Sequence, residues 1–392
     1  MTSIDPCHKY GFTFDFVNPK WDFPQWIYGP WYYFLTAYTF GPVFFLLHFM
    51  GKISVHEAAM YSFLCINFVL SIMFVLGTIK LSKKLFKTEL GKNSYILLIV
   101  FLPFTHKSYY NYTVENLALA FMPWIIYYLI NATKLNKLKH WVKLSFLFAI
   151  SATSKVSILV PLLIFISGYY FVYFLKNKTL SINFLIPYLL TFLLILSSNF
   201  ITKASLFKNH DVGNAERNYP GLKDNKVFYK VDLIDAFHNP TYPNQRYSWI
   251  NMWSLDFFGE YFNALKSKQR HPGKNKDIIL NRISLIATLI FISWYFFCLI
   301  KTVNKKIFTY ENVFSIFFFA IFFEQASYIF YVFDPELAQS FDMRYWVFYV
   351  FFLIYPISRY IDQINNQKIL KINWIFVIFW CVFSMNNHFI LI

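Results

Sequence analysis

Charged side chains are scarce in this sequence. Only 14% of the residues are Asp, Glu, Lys or Arg, whereas 57% are hydrophobic and 23% are aromatic. A soluble fold of this length has too little interior to bury so much apolar surface, so a soluble globular protein is excluded. The composition instead indicates a polytopic membrane protein.

Cysteine is also scarce. Of the four cysteines, Cys65, Cys298 and Cys381 fall inside apolar runs, and only Cys7 lies outside one. Neither a disulfide framework nor a cysteine-based metal site is therefore indicated. The histidines are scattered, with no pair at helical spacing within one run, and they predict no metal cluster.

Several familiar sequence signals are absent. The chain has no Walker A loop, GxGxxG turn, HExxH helix or GxSxG elbow, so a nucleotide or zinc hydrolase site of the soluble type is not supported. A cleavable signal peptide is missing too, because residues 1–20 are polar and carry Asp5 and Asp15 where a basic start and an apolar core would stand. Insertion is then expected to depend on internal helices or on a segment upstream of Met1.

Long apolar runs are what the sequence has in abundance. Runs of about 20 residues can cross about 30 Å of hydrocarbon, and they do not alternate as the strands of a barrel would. We therefore predict an all-α fold, a polytopic transmembrane helical bundle of about ten spanning helices with an interfacial hairpin on its outer face. The predicted helices are 56–79, 94–104, 114–132, 144–154, 156–175, 182–199, 278–300, 309–332, 344–362 and 371–391.

Lysine and arginine cluster between these runs. The basic loops alternate regularly along the chain if 56–79 crosses from outside to inside, as the positive-inside rule requires. Cytoplasmic anchoring then explains the net charge of +16, and no nucleic-acid partner is predicted. The basic loops are 80–92, 134–143, 176–181, 301–306 and 359–371, and segments 105–113, 200–277 and 333–343 share the opposite face.

The segment 26–50 looks like a first spanning helix but contains Gly41-Pro42 at its middle. Pro42 lacks an amide donor and clashes with the preceding turn, and Gly41 weakens the helix further. The charge alternation downstream favours a hairpin of two half-helices that enters and leaves on the outer face. A kinked spanning helix is the alternative.

Four regions follow from these features. Residues 1–55 form an outer-face segment with the hairpin, 56–199 an N-terminal transmembrane bundle, and 278–392 the C-terminal transmembrane helices. Residues 200–277 form an extracytoplasmic loop with several turn signals. This loop is too small for a separate catalytic domain and is expected to lie over the membrane face as a cap.

Ionisable side chains on the outer face are the first candidates for chemistry, because charge near the membrane interior is expensive. Asp5 precedes the aromatic segment, His8 follows three residues later, and Asp15 and Asp22 come next. A carboxylate here can act as general base on an acceptor hydroxyl, or hold a divalent cation against a phosphate. The alternative for each acid is a solvated position in a frayed terminus.

Three further ionisable residues stand at outer-face positions. Glu115 begins a helix, where it either serves a substrate or simply complements the helix dipole. Lys155 breaks the basic-inside pattern; an isolated lysine there suits an anionic phosphate, unless it snorkels to the surface. Arg344 begins a late helix and can bind a phosphate bidentately, unless it pairs with Asp342 or Asp334.

Several short motifs occur in a particular order along the chain. They are IYGPWYYFLTA at 27–37, NYTVENLALAF at 111–121, SATSKVSIL at 151–159, YSWINMWSLDFFGEY at 247–261 and the DMRY that opens a late helix at 342–345. Together they resemble the GT-C superfamily of polytopic glycosyltransferases, such as the dolichyl-phosphate-mannose-protein mannosyltransferases and aminoarabinose transferases. The family takes a sugar from a polyprenyl-phosphate carrier on the non-cytoplasmic face.

The resemblance implies a catalytic or metal-binding acid upstream of the first motif, and by position this acid is Asp5. The sequence departs from the family in having Pro6 where a second acid is common, and in lacking the family's first helix, so the chain is expected to start late. The substrate-binding residues under this hypothesis are His8, Tyr32, Glu115, Lys155 and Arg344.

The leading functional hypothesis is a membrane glycosyltransferase that moves a sugar from polyprenyl phosphate to a lipid, glycan or protein acceptor. Its expected location is the bacterial inner membrane, or the endoplasmic reticulum in a eukaryote, and a divalent cation at Asp5 is the one cofactor expected. One alternative is a transporter or flippase of lipid-linked glycans, although the later half holds no second copy of the Gly41-Pro42 pattern that an internal repeat would supply. Another alternative is an inactive membrane scaffold.

Overall fold

The computed structural model describes residues 31–102, 105, 115–154, 156–178, 181–202, 237, 275–303, 309–315, 317 and 350–390. Within these residues the regular structure is entirely helical, which confirms the all-α prediction. A 3-10 turn, Ile182–Phe184, precedes one of the helices. The α-helices are α1 (Trp31–Thr39), α2 (Gly41–Phe49), α3 (Val55–Leu85), α4 (Glu89–Phe101), α5 (Glu115–Leu135), α6 (Leu138–Ala152), α7 (Val156–Asn177), α8 (Leu185–Thr202), α9 (Asn275–Thr302), α10 (Val350–Gln363) and α11 (Gln367–Ile390).

Four helices in the described part of the chain are long and apolar enough to cross a membrane. They are α3, α5, residues Ile158–Asn177 of α7 and residues Leu285–Thr302 of α9. The larger number of about ten spanning helices stays a prediction. One reason is length: α6, for example, has 15 residues, fewer than the about 20 that the hydrocarbon core requires.

Helices α1 and α2 follow each other with a single residue between them. Phe40 has helical backbone angles, φ −107° and ψ −26°. Its amide donates to the carbonyl of Thr36 at 3.2 Å, and its own carbonyl accepts from the amide of Phe44 at 3.3 Å. Hydrogen bonding therefore continues across the joint, where Pro42 supplies no donor. The segment is a kinked helix and not the predicted hairpin, because one residue in a helical conformation does not reverse the chain.

The chain divides into two compact units. The first contains α1 to α3, α5 to α8 and the helical turn at 310–313, and the second contains α4, α9, α10 and α11. Helix α4 thus belongs to a different unit from α3 and α5, its neighbours in sequence, and it packs against α10 and α11. The four regions predicted from the sequence are consecutive stretches of the chain, whereas the two units are defined by packing. The four regions therefore stay a prediction.

In the first unit, α3 and α5 run parallel. Asn67 on α3 is bonded to Asn116 at the start of α5, at 3.3 Å. Farther along both helices, the ammonium of Lys80 lies 5.2 Å from the ring centre of Tyr127. The two helices therefore end at the same end of the unit. The basic segments that follow them therefore start from the same end of the unit, and the side of the membrane on which this end lies stays a prediction.

In the second unit, α4 and α10 run antiparallel. Thr88, at the start of α4, is bonded to Asp362 near the end of α10 at 2.7 Å. The Tyr95 hydroxyl donates to the carbonyl of Phe351 at 3.1 Å. Gly91 lets the two helices approach closely, because a Cβ at that position would lie 2.7 Å from the Cβ of Asp362.

Candidate functional site

The side chain of Asn67 holds a buried polar cluster together in the first unit. Its Oδ1 accepts one hydrogen bond from the hydroxyl of Tyr32 at 2.8 Å and another from the side-chain amide of Asn116 at 3.3 Å. Helices α1, α3 and α5 therefore meet at one oxygen atom. Tyr32, Asn67 and Asn116 are called the Asn67 cluster below.

Local packing fixes the position of Tyr32. Its ring stacks on Phe63, with 5.6 Å between the ring centres and 27° between the planes. The hydroxyl of Thr36 donates to the carbonyl of Tyr32 at 2.8 Å, one turn along α1. All three side chains of the Asn67 cluster are buried. Since buried hydroxyls and amides are costly unless paired, these hydrogen bonds determine how α1 and α5 approach α3.

Asn67, at the centre of the Asn67 cluster, lies within an apolar helix. Asn67 belongs to Val55–Leu85, one of the helices that can cross a membrane. Polar side chains at such depth are expensive, which makes them candidates for a functional site. Hydrogen bonds of this kind also join neighbouring helices in membranes. In this unit the three side chains of the Asn67 cluster join neighbouring helices in this way, because they connect α1, α3 and α5.

Glu115 is next to the Asn67 cluster in sequence and is the first residue of α5. Only 2% of its surface is exposed. A carboxylate in the first turn is favoured by the positive end of the helix dipole, which agrees with one of the two roles that the sequence predicts for it. A carboxylate can also accept a hydrogen bond or a proton from a hydroxyl group of a substrate.

Two of the predicted site residues lie on helices that the Asn67 cluster joins. Tyr32 is a member of the Asn67 cluster, and Glu115 is joined to it through the adjacent Asn116. The remaining predicted residues lie outside the described part of the chain, namely Asp5, His8, Lys155 and Arg344.

A metal site has one predicted ligand, Asp5, which is outside the described residues. Among the residues that the structure does describe, no three His, Cys, Asp or Glu side chains gather in a group that could hold a metal ion. The divalent cation therefore stays a prediction tied to Asp5.

Sequence reasoning missed Asn67 and Asn116. The signal for Asn67 is present in the run SFLCINFVLSIM, where an amide side chain stands among apolar residues in a helix long enough to cross a membrane. The cost of such a position marks the residue as one that needs a partner. The identity of that partner depends on packing between helices, which the run itself does not contain.

Comparison of the chain with models of known protein families and with curated protein sequences finds no match. The class of protein therefore rests on the fold, which is that of a helical membrane protein.

Proposed function

We propose that this chain is a multi-pass membrane glycosyltransferase that moves a sugar from a polyprenyl-phosphate carrier to a lipid, glycan or protein acceptor. The observation that carries the proposal is the Asn67 cluster. It joins segment 27–37, which contains Tyr32, to segment 111–121, which contains Glu115 and Asn116. These are two of the segments that resemble the GT-C superfamily, and they are far apart in sequence.

The contact supports a shared site for a physical reason. A buried hydroxyl and a buried amide would each cost free energy inside a membrane unless paired, and Asn67 pairs both. The pairing holds the aromatic segment of α1 against the helix start that bears Glu115. A site built on packed helices keeps its side chains in a fixed geometry, which transfer of a sugar between two bound partners requires.

The proposed reaction is a substitution at the anomeric carbon of the sugar. The bond between that carbon and the carrier phosphate breaks, a bond to the acceptor oxygen forms, and the acceptor proton passes to a carboxylate, for which we propose Asp5. Lys155 and Arg344 are proposed to hold the phosphate that leaves with the carrier. His8, Tyr32 and Glu115 are proposed to contact the substrates.

The test uses the full chain in nanodiscs, a panel of radiolabelled polyprenyl-phosphate sugars, and an extract of lipids, glycans and proteins as acceptor. The expected result is transfer of label from at least one donor by the unaltered protein, with loss of transfer in Asp5→Asn and a strong decrease in Glu115→Gln. Glu57→Gln is the matched control, because Glu57 also stands in the first turn of a helix but is only partly buried. Thermal unfolding shows whether each variant is folded.

Absence of transfer from every donor by the unaltered, folded protein would overturn the proposal. Full transfer in both Asp5→Asn and Glu115→Gln would overturn the assigned residues. Movement of an unchanged lipid-linked sugar across the bilayer of vesicles, without transfer, would instead support a flippase.

A further inference from the structure

Four aromatic rings contact one another at the end of the first unit where α3 and α5 finish. Trp124 stacks on Tyr128 with 6.2 Å between ring centres, and Tyr127 meets Tyr128 edge-on at 5.3 Å. The ring of His140, in the first turn of α6, lies 6.2 Å from that of Tyr128. These four residues are called the ring cluster. It joins α5 to the helix that follows.

The position of the ring cluster is fixed by α3. The indole N–H of Trp124 donates to the carbonyl of Met73 at 2.9 Å. Gly77 leaves room for this indole, since a Cβ at Gly77 would lie 2.6 Å from the indole nitrogen and 2.8 Å from Cγ of Pro123. The rings are therefore held in place by the packing of α3 on α5 and do not depend on solvent-exposed contacts.

Lysine side chains cover the ring cluster from two helices. The ammonium of Lys80 on α3 lies 5.5 Å from the centre of the Trp124 ring and 5.2 Å from that of Tyr127. The ammonium of Lys143 on α6 lies 5.6 Å from the centre of the Tyr128 ring. Such cation–π contacts order a lysine head without neutralising its charge.

No carboxylate among the described residues pairs with Lys80 or Lys143. Within that part of the chain the hydroxyls of Tyr127 and Tyr128 also have no hydrogen-bond partner. The cluster therefore combines ordered positive charge with two phenolic donors. A phosphate oxygen is the kind of acceptor that such a set of donors suits.

The Nδ1 atom of His140 adds a further polar group to this site. It is buried and has no hydrogen-bond partner among the described residues. The ring is therefore placed by its contact with Tyr128 and not by a hydrogen bond at that nitrogen. An anion at the ring cluster would lie beside an imidazole that can become a donor.

Exposed apolar side chains flank the ring cluster on both sides. Ile72 and Leu76 precede Lys80 by two turns and one turn on the same face of α3, and Leu76 is 53% exposed. On α6, Val142 and Phe146 lie beside and beyond Lys143, and Phe146 is 56% exposed. Each apolar face thus leads up to the lysine and ring site. A ligand with a phosphate head and hydrocarbon chains matches both the charged site and the apolar faces, whereas a free phosphate matches only the charged site.

We propose that the ring cluster, with Lys80 and Lys143, binds the headgroup of an anionic glycerophospholipid, whose acyl chains lie along the apolar faces of α3 and α6. The headgroup phosphate lies among the ammonium groups and the two tyrosine hydroxyls, in a basic site between membrane helices. This proposal does not depend on the proposed transferase activity, because it uses the opposite end of α3 and α5 from the Asn67 cluster.

The test measures the thermal unfolding midpoint of the full chain in nanodiscs of phosphatidylcholine with increasing phosphatidylglycerol. The midpoint of the unaltered protein should rise with phosphatidylglycerol, because a ligand that binds only the folded state stabilises it. The variant Lys80→Gln with Lys143→Gln should bind phosphatidylglycerol roughly 10- to 30-fold more weakly, as expected for two lysines near an anionic lipid surface. A second variant, Tyr127→Phe with Tyr128→Phe, keeps the rings but removes the hydroxyls. Its unfolding midpoint should rise less with phosphatidylglycerol than that of the unaltered protein.

The matched control is Lys368→Gln with Lys371→Gln, which removes the same charge from exposed positions of the second unit. The midpoint of this control should rise with phosphatidylglycerol as much as that of the unaltered protein. If the two lysine double variants lose the rise equally, general surface charge explains the effect and the proposal is overturned. An equal rise with inorganic phosphate in pure phosphatidylcholine would show that the site takes a free anion and would overturn the lipid assignment. If Lys80→Gln with Lys143→Gln already has a lowered unfolding midpoint in pure phosphatidylcholine, the single variant Lys143→Gln replaces it. Its rise in midpoint with phosphatidylglycerol is then compared with that of the unaltered protein.

Discussion

The carboxylate of Asp362 accepts two hydrogen bonds from Thr88, one from its backbone amide and one from its hydroxyl, each at 2.7 Å. Thr88 is the N-cap of α4, and its hydroxyl in turn accepts from the amide of Gly91 at 3.1 Å. The start of α4 is therefore completed by a side chain that lies 274 positions later in the chain.

Replacing Asp362 with Ala should lower the free energy of unfolding by about 1 kcal/mol, because it removes the acceptor of the Thr88 amide and hydroxyl. Thr88→Ala should cost a similar amount, because it removes the cap hydroxyl. Asp362→Ala combined with Thr88→Ala should cost less than the sum of the two, since each change removes the same contact. Chemical unfolding in mild detergent measures all three values, and strict additivity would show that the two residues do not interact.

Gly91→Ala should destabilise the protein by about 1–3 kcal/mol, the usual cost of forcing extra atoms into a packed interface. The new Cβ would lie 2.7 Å from Cβ and 2.8 Å from Oδ1 of Asp362. Gly168→Ala is the control, because a Cβ at that helical position meets nothing within 4 Å. It should be neutral or stabilising, since Ala favours the helix by up to about 1 kcal/mol over Gly. The thermal midpoint should therefore fall for Gly91→Ala and stay unchanged or rise for Gly168→Ala.

Asn67→Leu should destabilise the protein by about 1–3 kcal/mol, because it leaves two buried donors without their acceptor. Tyr32→Phe should cost about 0.6 kcal/mol, the average value for a hydrogen bond between membrane helices. Asn131→Leu is the control for the larger change: Asn131 is also buried, but it donates to the carbonyl of Tyr127 within its own helix at 3.0 Å. If Asn131→Leu is as harmful as Asn67→Leu, the Asn67 cluster has no special part in joining the helices.

His140 should titrate below its usual range. Burial of the ring, followed by the positive charges of Lys139, Lys143, Lys137 and Lys84, lowers the pKa of His140. In the unfolded chain the pKa returns to about 6.5. As the pH falls through that value, the unfolded state takes up the proton first, so the free energy of unfolding should decrease until the folded pKa is passed. Above the unfolded pKa this contribution does not change with pH.

The measurement is nuclear magnetic resonance of labelled histidine in nanodiscs, with His140→Gln to assign the signal. A bound phosphate headgroup would offset the lysine charges, so the pKa of His140 should rise when phosphatidylglycerol replaces phosphatidylcholine. An unchanged pKa in the two lipids would argue against a headgroup near the ring. The other groups that face His140 are the Tyr128 ring on α5 and Lys84 on α3.

The sequence predicts local structure well in this chain, because local structure depends on local chemistry. Apolar runs predict the helical class, which the described residues confirm. The Gly41-Pro42 pair predicts a break, but the backbone at Phe40 stays helical, so the break is a kink.

Long-range pairs could not be predicted from the sequence. The close contact of Gly77 with Trp124 and the bond between Thr88 and Asp362 depend on which helix faces which. Of the predicted site, Tyr32 and Glu115 can be placed together only after Asn67 is known to accept from both α1 and α5. A hydrophobic pattern gives the buried face of a helix but not its partner.

The packing of α4 has a consequence for how the protein is made. Helix α4 ends at Phe101, but one of its partners, α10, begins only at Val350. At about 5–20 residues per second, the ribosome reaches that point roughly 12–50 s later. During that interval the face of α4 that carries Tyr95, Leu98 and Ile99 has yet to meet this partner, although these side chains end up buried. Biosynthesis therefore has to supply α4 with a temporary partner, from the insertion machinery or from lipid, until α10 is made.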